Sequence, residues 1–156
     1  CYNRVLDCAD PLLVPDKKKN GGGNYLDNGT EYYPRAVYEA VKMLQREYQV
    51  EVPIFITENG TYGCNEQIQP DNQIHDEQRI KYLKGFLYWI SKAMEEGADI
   101  RGYYVWSLLD NWEWSAGYEP RYGLVHVDYE TQQRIQKDSA KWYTGIAGTK
   151  ELEIVL

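Results

Sequence analysis

A short apolar run, Ile54–Thr57, most constrains the fold of this chain, because Pro53 precedes it and Asn59-Gly60 follows it closely. Four β-branched or aromatic residues in a row are too few for a helix and do not alternate with polar residues. The run therefore predicts a short strand that is buried on both faces, as in a parallel sheet. Glu58 lies at the carboxyl end of that strand, where parallel α/β proteins gather their catalytic groups.

Two long helices flank this strand and predict a series of βα units. The first is predicted from Pro34, which suits the first turn of a helix, to about Tyr48. The second is predicted from Asp76, as a cap, to about Glu96, with Gly97 marking its end. The expected buried stripes are Val37, Val41, Leu44 and Tyr48 in the first helix, and Ile80, Leu83, Leu87, Ile90 and Met94 in the second.

The remaining elements predict the α/β class and an incomplete barrel. A strand is expected over residues 100–109, a hairpin between 122–129 and 133–136, and a last helix over 138–146, whereas residues 1–33 read as an irregular region with a short strand at 2–6. The chain has 156 residues, well short of the roughly 250 of an eightfold barrel. We expect residues 1–156 to form the C-terminal quarter to third of a single TIM (β/α)8-barrel domain, incomplete on its own.

Composition excludes several classes of function. The chain has 17 Lys and Arg against 24 Asp and Glu, a net charge of −7, which disfavours nucleic acid and anionic membranes as partners. No apolar run is long enough to span a membrane. The three cysteines, Cys1, Cys8 and Cys64, lack the spacing of metal ligands or of a disulfide framework, so we expect no metal, no cofactor and a cytoplasmic protein. Because the chain begins with Cys1 rather than Met, we expect processing or fragmentation to have removed what preceded it.

A second polar and aromatic segment follows the next predicted strand. Residues 106–114 contain three tryptophans, the first and last of them at the ends of this range, and they are interleaved with Asp110, Asn111 and Glu113. A single tryptophan is usually a core residue. A core would not tolerate so many unpaired polar groups, however, and flat rings beside carboxylates and amides suit a sugar ring with its hydroxyls. Since neighbouring parallel strands end at the same rim, Glu58 and this segment should face one cleft.

Three motifs in this order carry a family resemblance. Residues 56–60 (ITENG), 102–114 (GYYVWSLLDNWEW) and 121–129 (RYGLVHVDY) resemble family 1 glycoside hydrolases, the β-glucosidase family. The resemblance extends from about Pro34 to Ile146. It implies a retaining β-glycosidase on an eightfold α/β barrel that acts on β-glucosides or oligosaccharides.

The resemblance also implies a role for each site residue. Glu58 matches the nucleophile that forms a covalent glycosyl-enzyme. Trp106 matches the indole that stacks under the sugar, and Glu113 the acid that holds the O4 and O6 hydroxyls. Trp114 matches the indole that donates to O3, and Tyr122 stands where the family has an aromatic residue beside C6. These residues also predict a neutral sugar, because family members that act on 6-phosphorylated sugars replace the Glu113 position with a small residue.

Two family positions are less well matched. Tyr2, by its distance upstream, is expected to be the tyrosine that hydrogen-bonds the nucleophile. A retaining enzyme also needs a second carboxyl group about 5–5.5 Å from the nucleophile, as acid and then base. In this family it belongs to an Asn-Glu-Pro motif, which this sequence lacks. Asn65-Glu66-Gln67 is only similar in composition, and we assign it no role. The acid/base Glu is therefore expected from an N-terminal part of the same barrel.

The missing acid leaves a second interpretation open. A half-barrel with one catalytic carboxylate could be a non-catalytic glycan-binding or scaffolding fragment. That interpretation predicts sugar binding without turnover, whereas the glycosidase interpretation predicts a labelled Glu58 in the complete enzyme.

Overall fold

The computed structural model describes residues 24–64 and 66–152. The irregular region expected over residues 1–33 lies mostly outside this range, and so do Tyr2 and the strand expected at residues 2–6. The elements in chain order are α1 (Arg35–Arg46), β1 (Ile54–Asn59), α2 (Glu77–Glu95), β2 (Ile100–Val105), a 3-10 turn (Trp114–Ala116), β3 (Val125–Val127), β4 (Arg134–Gln136) and α3 (Asp138–Thr149).

The two strands β1 and β2 pair in parallel, as the alternation of strands with long helices predicts. Helices α1 and α2 pack together and cover one face of this pair, where Ile56 and Ile100 are buried in the main core. The opposite face is not covered by the described residues, and Phe55 is 52% exposed on it. The prediction that β1 is buried on both faces is therefore wrong for the described residues, because they supply helices to one face only.

A β-bulge near the end of β1 changes the direction of its last side chains. Ile56 pairs with Tyr103 but Asn59 pairs with Val105, so β1 contains one residue more than β2 between these pairs. Both Ile56 and Asn59 are buried, although they are three positions apart along the strand rather than two. Bulges re-aim side chains in this way. Glu58 is consequently exposed, outside the buried side of the strand pair.

The helices begin and end close to their predicted bounds, but their buried stripes differ. Helix α1 ends at Arg46, so Tyr48 lies beyond it and is 66% exposed, contrary to the prediction. In α2 the buried face is rotated towards Arg79, Tyr82, Leu83, Phe86, Ile90 and Ala93, and Met94 is 49% exposed. The predicted stripe of α2 is therefore only partly correct, because buried polar contacts pull Arg79 inward.

Strand β2 is shorter than predicted, and the loop that follows it is correspondingly longer. Strand β2 ends at Val105, and in the loop beyond it Leu109 forms an isolated parallel bridge with Val125 of β3. Strands β3 and β4 form the predicted hairpin. Helix α3 starts at Asp138 as predicted and continues to Thr149, three residues beyond the expected end.

The described residues form two separate two-stranded sheets and do not close a barrel. Within the ranges that the structure describes, none of the helices is both long and apolar enough to cross a membrane.

Candidate active site

An open cleft of about 440 Å³ lies at the carboxyl ends of β1 and β2. The residues that line it come from the end of β1, from α2 and from the loops that follow β2. They are Glu58, Asn59, Gly60, Tyr82, Trp106, Glu113, Trp114 and Tyr122. The structure thus brings five of the six sequence-predicted site residues around one cleft, and the sixth, Tyr2, lies outside the described residues.

Glu58 is exposed at the carboxyl end of β1, beside Asn59, which two hydrogen bonds anchor. The amide of the buried Asn59 donates to the Tyr82 hydroxyl at 3.2 Å, and its oxygen accepts from the Tyr103 hydroxyl at 2.7 Å. These bonds tie the strand end to α2 and to β2. The carboxylate of Glu58 is therefore carried on fixed backbone while its oxygens remain open to the cleft.

Close backbone packing brings Trp106 to the end of β1. The Trp106 N–H donates to the Asn59 carbonyl at 3.0 Å, and the peptide bond that follows Trp106 is cis. A Cβ on Gly60 would lie 1.6 Å from the Trp106 carbonyl oxygen, so only glycine permits this approach. The sequence motif Asn59-Gly60 thus allows the end of β1 to contact the loop after β2.

Trp106 and Glu113 are joined directly. The indole Nε1 of Trp106 donates to Glu113 Oε1 at 3.0 Å, which leaves the second carboxylate oxygen available to a ligand. Trp114 follows in a 3-10 turn and is 78% exposed, with its ring 5.7 Å from that of Trp112. A carboxylate bonded to one indole and followed in sequence by another can accept hydrogen bonds from hydroxyl groups while the ring faces contact apolar C–H groups.

Asp110 lies beneath the cleft and does not line it. Its side chain is fully buried and accepts from the Gly123 N–H at 2.9 Å and from the Val127 N–H at 3.3 Å. Asn111 likewise donates its amide to Ser107 Oγ at 2.8 Å. Sequence reasoning grouped both residues with the sugar-binding segment. In the structure, their hydrogen bonds instead stabilise the loop that carries Glu113.

Tyr122 forms another wall of the cleft, and its position depends on residues that follow β1. Its ring packs against that of Tyr62 with centroids 5.0 Å apart. Its carbonyl accepts from the Ser107 N–H at 3.1 Å. Burial raises the pKa of the Tyr122 phenol, so this hydroxyl stays protonated and can donate to a ligand at neutral pH.

A buried ionic cluster lies next to these walls and contains five side chains, all at most 7% exposed. Its members are Glu66, Asp76, Arg79, Asp110 and Lys137. Burial, with the nearby Arg79 charge, lowers the pKa of Lys137, and the carboxylates oppose this effect. The cluster joins the loop after β1 to the first turn of α2 and to the start of α3.

Two members of this cluster correct the sequence analysis. Asp76 does not cap α2 with its side chain; its carboxylate accepts from the backbone N–H and the hydroxyl of Ser139, in the first turn of α3. Glu66, which was assigned no role, accepts from Arg79 and from Lys137 at 2.6 Å. The partners of Glu66 lie 13 and 71 residues along the chain, so no local pattern could have identified them.

Within the described ranges, no group of three or more His, Cys, Asp or Glu residues could hold a metal ion. The chemistry that the cleft itself offers is a carboxylate nucleophile or base, a hydrogen-bonding carboxylate and several aromatic faces.

Comparison with known proteins connects this cleft to a family. The sequence matches the family model described as Glycosyl hydrolase family 1 over residues 13–152. It is 43% identical over 121 residues to a 6-phospho-beta-galactosidase of Staphylococcus aureus, a match that covers 78% of this chain and 26% of that protein. Among solved structures, the family 1 β-glucosidase of Thermotoga maritima matches with a TM-score of 0.80 and 41% identity, over 84% of this chain and 29% of that one.

The same Thermotoga maritima enzyme has been solved in complex with deoxynojirimycin, and that structure matches with a TM-score of 0.80 and 41% identity, over 85% of this chain and 29% of that one. These structural relatives are TIM-barrel glycosidases. The chain spans between a quarter and a third of the length of these relatives. The family match covers well over half of the chain, and the arrangement of β1, β2 and their helices is shared with the solved enzymes. The chain belongs to glycosyl hydrolase family 1.

Proposed function

We propose that this chain is the C-terminal part of a single (β/α)8-barrel domain of a retaining β-glycosidase. The enzyme would hydrolyse terminal non-reducing β-D-glucosyl residues through a covalent glycosyl-enzyme on Glu58. The observation that carries the proposal is the position of Glu58, whose carboxylate opens onto the same cleft as the hydrogen-bonded Trp106–Glu113 pair. A nucleophile and a hydroxyl-binding group must face one pyranose for this reaction.

The proposed roles follow from the chemistry of each wall. Glu58 would attack the anomeric carbon, and Trp106 would lie against the apolar face of the sugar. Glu113 would accept hydrogen bonds from the O4 and O6 hydroxyls through the oxygen that Trp106 leaves open. Trp114 would donate its indole N–H to O3, and Tyr122 would contact the C6 group. Hydrogen bonds that strengthen as the ring flattens lower the barrier, because they favour the oxocarbenium-like transition state over the bound substrate.

The charge of the cleft favours a neutral sugar over a phosphorylated one. Glu58 and Glu113 both line the cleft, and no Lys or Arg is found among the described lining residues. The guanidinium of Arg79, which donates to the carbonyl of the lining residue Tyr122, is 1% exposed and already bonded to carboxylates and carbonyls. Among the described lining residues, a phosphate dianion on C6 would thus meet like charge without a cation. The charge of the cleft thus favours β-glucosides, although the relatives include a 6-phospho-beta-galactosidase.

The acid/base carboxyl group would come from the N-terminal part of the barrel. General acid catalysis contributes about 10² to 10⁴-fold to such reactions, so the chain alone should not turn over ordinary glycosides. A non-catalytic glycan-binding fragment is the alternative for the isolated chain. It would bind sugars through Trp106 and Glu113 without forming a covalent intermediate.

Mechanism-based labelling tests the proposal. The complete enzyme, meaning this chain joined to the proposed N-terminal part, is treated with 2-deoxy-2-fluoro-β-glucosyl fluoride and mapped by peptide mass spectrometry. We expect a fluoroglucosyl group on Glu58 in the wild type and in the Glu130→Gln control, which changes an exposed carboxylate away from the cleft. Glu58→Gln should not be labelled. A label on another residue, or catalytic turnover by Glu58→Gln, would refute the assignment.

The preference for a neutral sugar has its own test. Hydrolysis of p-nitrophenyl β-glucoside is compared with that of its 6-phosphate by kcat/KM. We expect the neutral substrate to be preferred by the wild type, and the ratio to shift towards the phosphate in Glu113→Ser. A wild type that prefers the phosphate would show that the charge argument is wrong while leaving the nucleophile assignment intact.

A further inference from the structure

The buried ionic cluster has a role to be explained, because the proposed mechanism uses none of its side chains. It contains three carboxylates and two cations, and all of its members belong to this chain. Buried ion pairs are on average a weak source of stability, since desolvation offsets most of their attraction. Such a cluster can instead fix the relative positions of the chain segments that carry its side chains.

Arg79 bridges the two rims of the cleft. Its Nη1 donates to the Thr61 carbonyl, in the loop that begins just after Glu58, and to the Tyr122 carbonyl at 2.9 Å. Its Nη2 donates to the Arg121 carbonyl at 2.8 Å. One planar guanidinium therefore holds the turn after β1 against the backbone of the Tyr122 wall. A lysine could not reproduce this fork of donors.

Glu66 orients that guanidinium and closes the same loop. Both of its carboxylate oxygens accept from Arg79 Nη2, and Lys137 Nζ donates to Oε2 at 2.6 Å. Oε1 also accepts from the Gly63 N–H at 2.8 Å. The loop between Thr61 and Gly63 is thus fixed at both ends by the Arg79–Glu66 pair. Tyr62, at its centre, is held with its ring against Tyr122.

From these contacts we infer that Glu66 and Arg79 are positioning residues for the wall of the cleft at Tyr122. The inference rests on the proposed function, since it takes the cleft to be the glycone site. Glu66 acts through the loop and the Tyr62 ring, and Arg79 acts through the Tyr122 backbone. Neither side chain touches the substrate, because both are buried away from it. Their effect is on the distance between the Tyr122 wall and the sugar.

Glu66→Gln is the variant that separates positioning from folding. It keeps the shape of the side chain and one acceptor, and each cation keeps a carboxylate partner, Asp76 for Arg79 and Asp110 for Lys137. We therefore expect the variant to fold. In the complete enzyme, KM for p-nitrophenyl β-glucoside and Ki for deoxynojirimycin should rise roughly 10- to 100-fold, as small misplacements of a binding wall do. The rise in KM should exceed the fall in kcat.

The matched controls change exposed groups in the same chemical way. Glu39→Gln removes the negative charge of the exposed pair with Arg35, and Arg101→Lys removes the two-donor contact with Asp99. Both controls should leave KM and Ki unchanged. Arg79→Lys should raise Ki at least as much as Glu66→Gln.

A double-mutant cycle distinguishes positioning from general loosening. If Glu66 acts through Tyr122, Glu66→Gln should have little further effect on Ki in a Tyr122→Ala background. Additive effects, or an unchanged Ki in folded Glu66→Gln, would overturn the inference.

Hydrogen exchange keeps the test independent of the proposed function. An enzyme that neither hydrolyses β-glucosides nor binds deoxynojirimycin would refute that function. Amide exchange at residues 60–63 would then decide the inference alone: faster exchange in Glu66→Gln than in Glu39→Gln supports positioning, and equal exchange overturns it.

Discussion

The contact between Gly60 and Trp106 gives the sharpest test of how the cleft is assembled. In Gly60→Ala the added Cβ would lie 1.6 Å from the Trp106 carbonyl oxygen and 2.7 Å from its carbonyl carbon. Both neighbours are backbone atoms, so no side chain can rotate away. Since real Cβ contacts essentially never fall below 3.0 Å, the end of β1 and the loop after β2 must separate by about 1.4 Å.

The magnitude follows from that separation. Overpacking of a close contact costs about 1–3 kcal/mol of stability. The same movement displaces Glu58 relative to Trp106, and a misplacement of about 1 Å can reduce activity roughly 10²-fold. Gly60→Ala in the complete enzyme should therefore lower both the free energy of unfolding and kcat/KM.

The control is the same substitution at a site without neighbours. A Cβ at Gly145, on the exposed side of α3, meets nothing within 4 Å. Gly145→Ala should stabilise the protein by up to about 1 kcal/mol, because alanine has the higher helix propensity. Urea unfolding measures both variants, and the rate of fluoroglucosyl labelling at Glu58 measures the site. Wild-type stability and labelling in Gly60→Ala would refute the close approach described here.

The remaining predictions concern buried and exposed charge. Asp110→Ala should destabilise the protein by about 3–5 kcal/mol, because it leaves Lys137 and two backbone N–H groups without this buried partner; urea unfolding measures the loss. Hydrogen bonds that His75 donates to Asp138 and then to Asp71 raise its pKa above 6.5. In the difference from His75→Gln, its stabilising contribution should therefore be fully present below pH 6.5 and lost as pH rises through the raised pKa. Burial lowers the pKa of His126 below 6.5, so its contribution, measured against His126→Gln, should be present above pH 6.5 and lost as pH falls through the lowered pKa. Unfolding free energies are measured from pH 5 to 9. The assignments would be contradicted if the stabilising contributions of the two histidines changed in the same direction with pH.

Local patterns predicted the elements well because they depend on local physics. The starts of α2, β2 and α3 fall within one residue of the predicted positions, since Gly97 and the switch from period 3.6 to strand-forming residues are visible in the sequence. Burial of individual faces was less predictable. Phe55 is apolar yet exposed, because the side of β1 that a residue faces depends on which layers pack against the pair.

The candidate site could be outlined from the sequence for a related reason. Neighbouring parallel strands must end at one rim, so Glu58 and the Trp106–Trp114 segment were expected to share a cleft, and they do. Which polar residues of that segment enter the cleft could not be predicted. Asp110 turns inward to satisfy two backbone N–H groups and a buried lysine, whereas Glu113 turns towards the cleft.

The bulge in β1 explains why simple alternation fails at the most important residue. With strict alternation from the buried Ile56, Glu58 would also point into the helix-covered core, where an unpaired carboxylate would be costly. The extra residue between Ile56 and Asn59 lets Asn59 take the buried position and hydrogen-bond to Tyr82. Glu58 is thereby left exposed on the cleft. The end of β1 is thus anchored by the buried amide of Asn59, whereas the carboxylate of Glu58, which would be costly to bury, stays exposed. This arrangement requires the irregular pairing between β1 and β2.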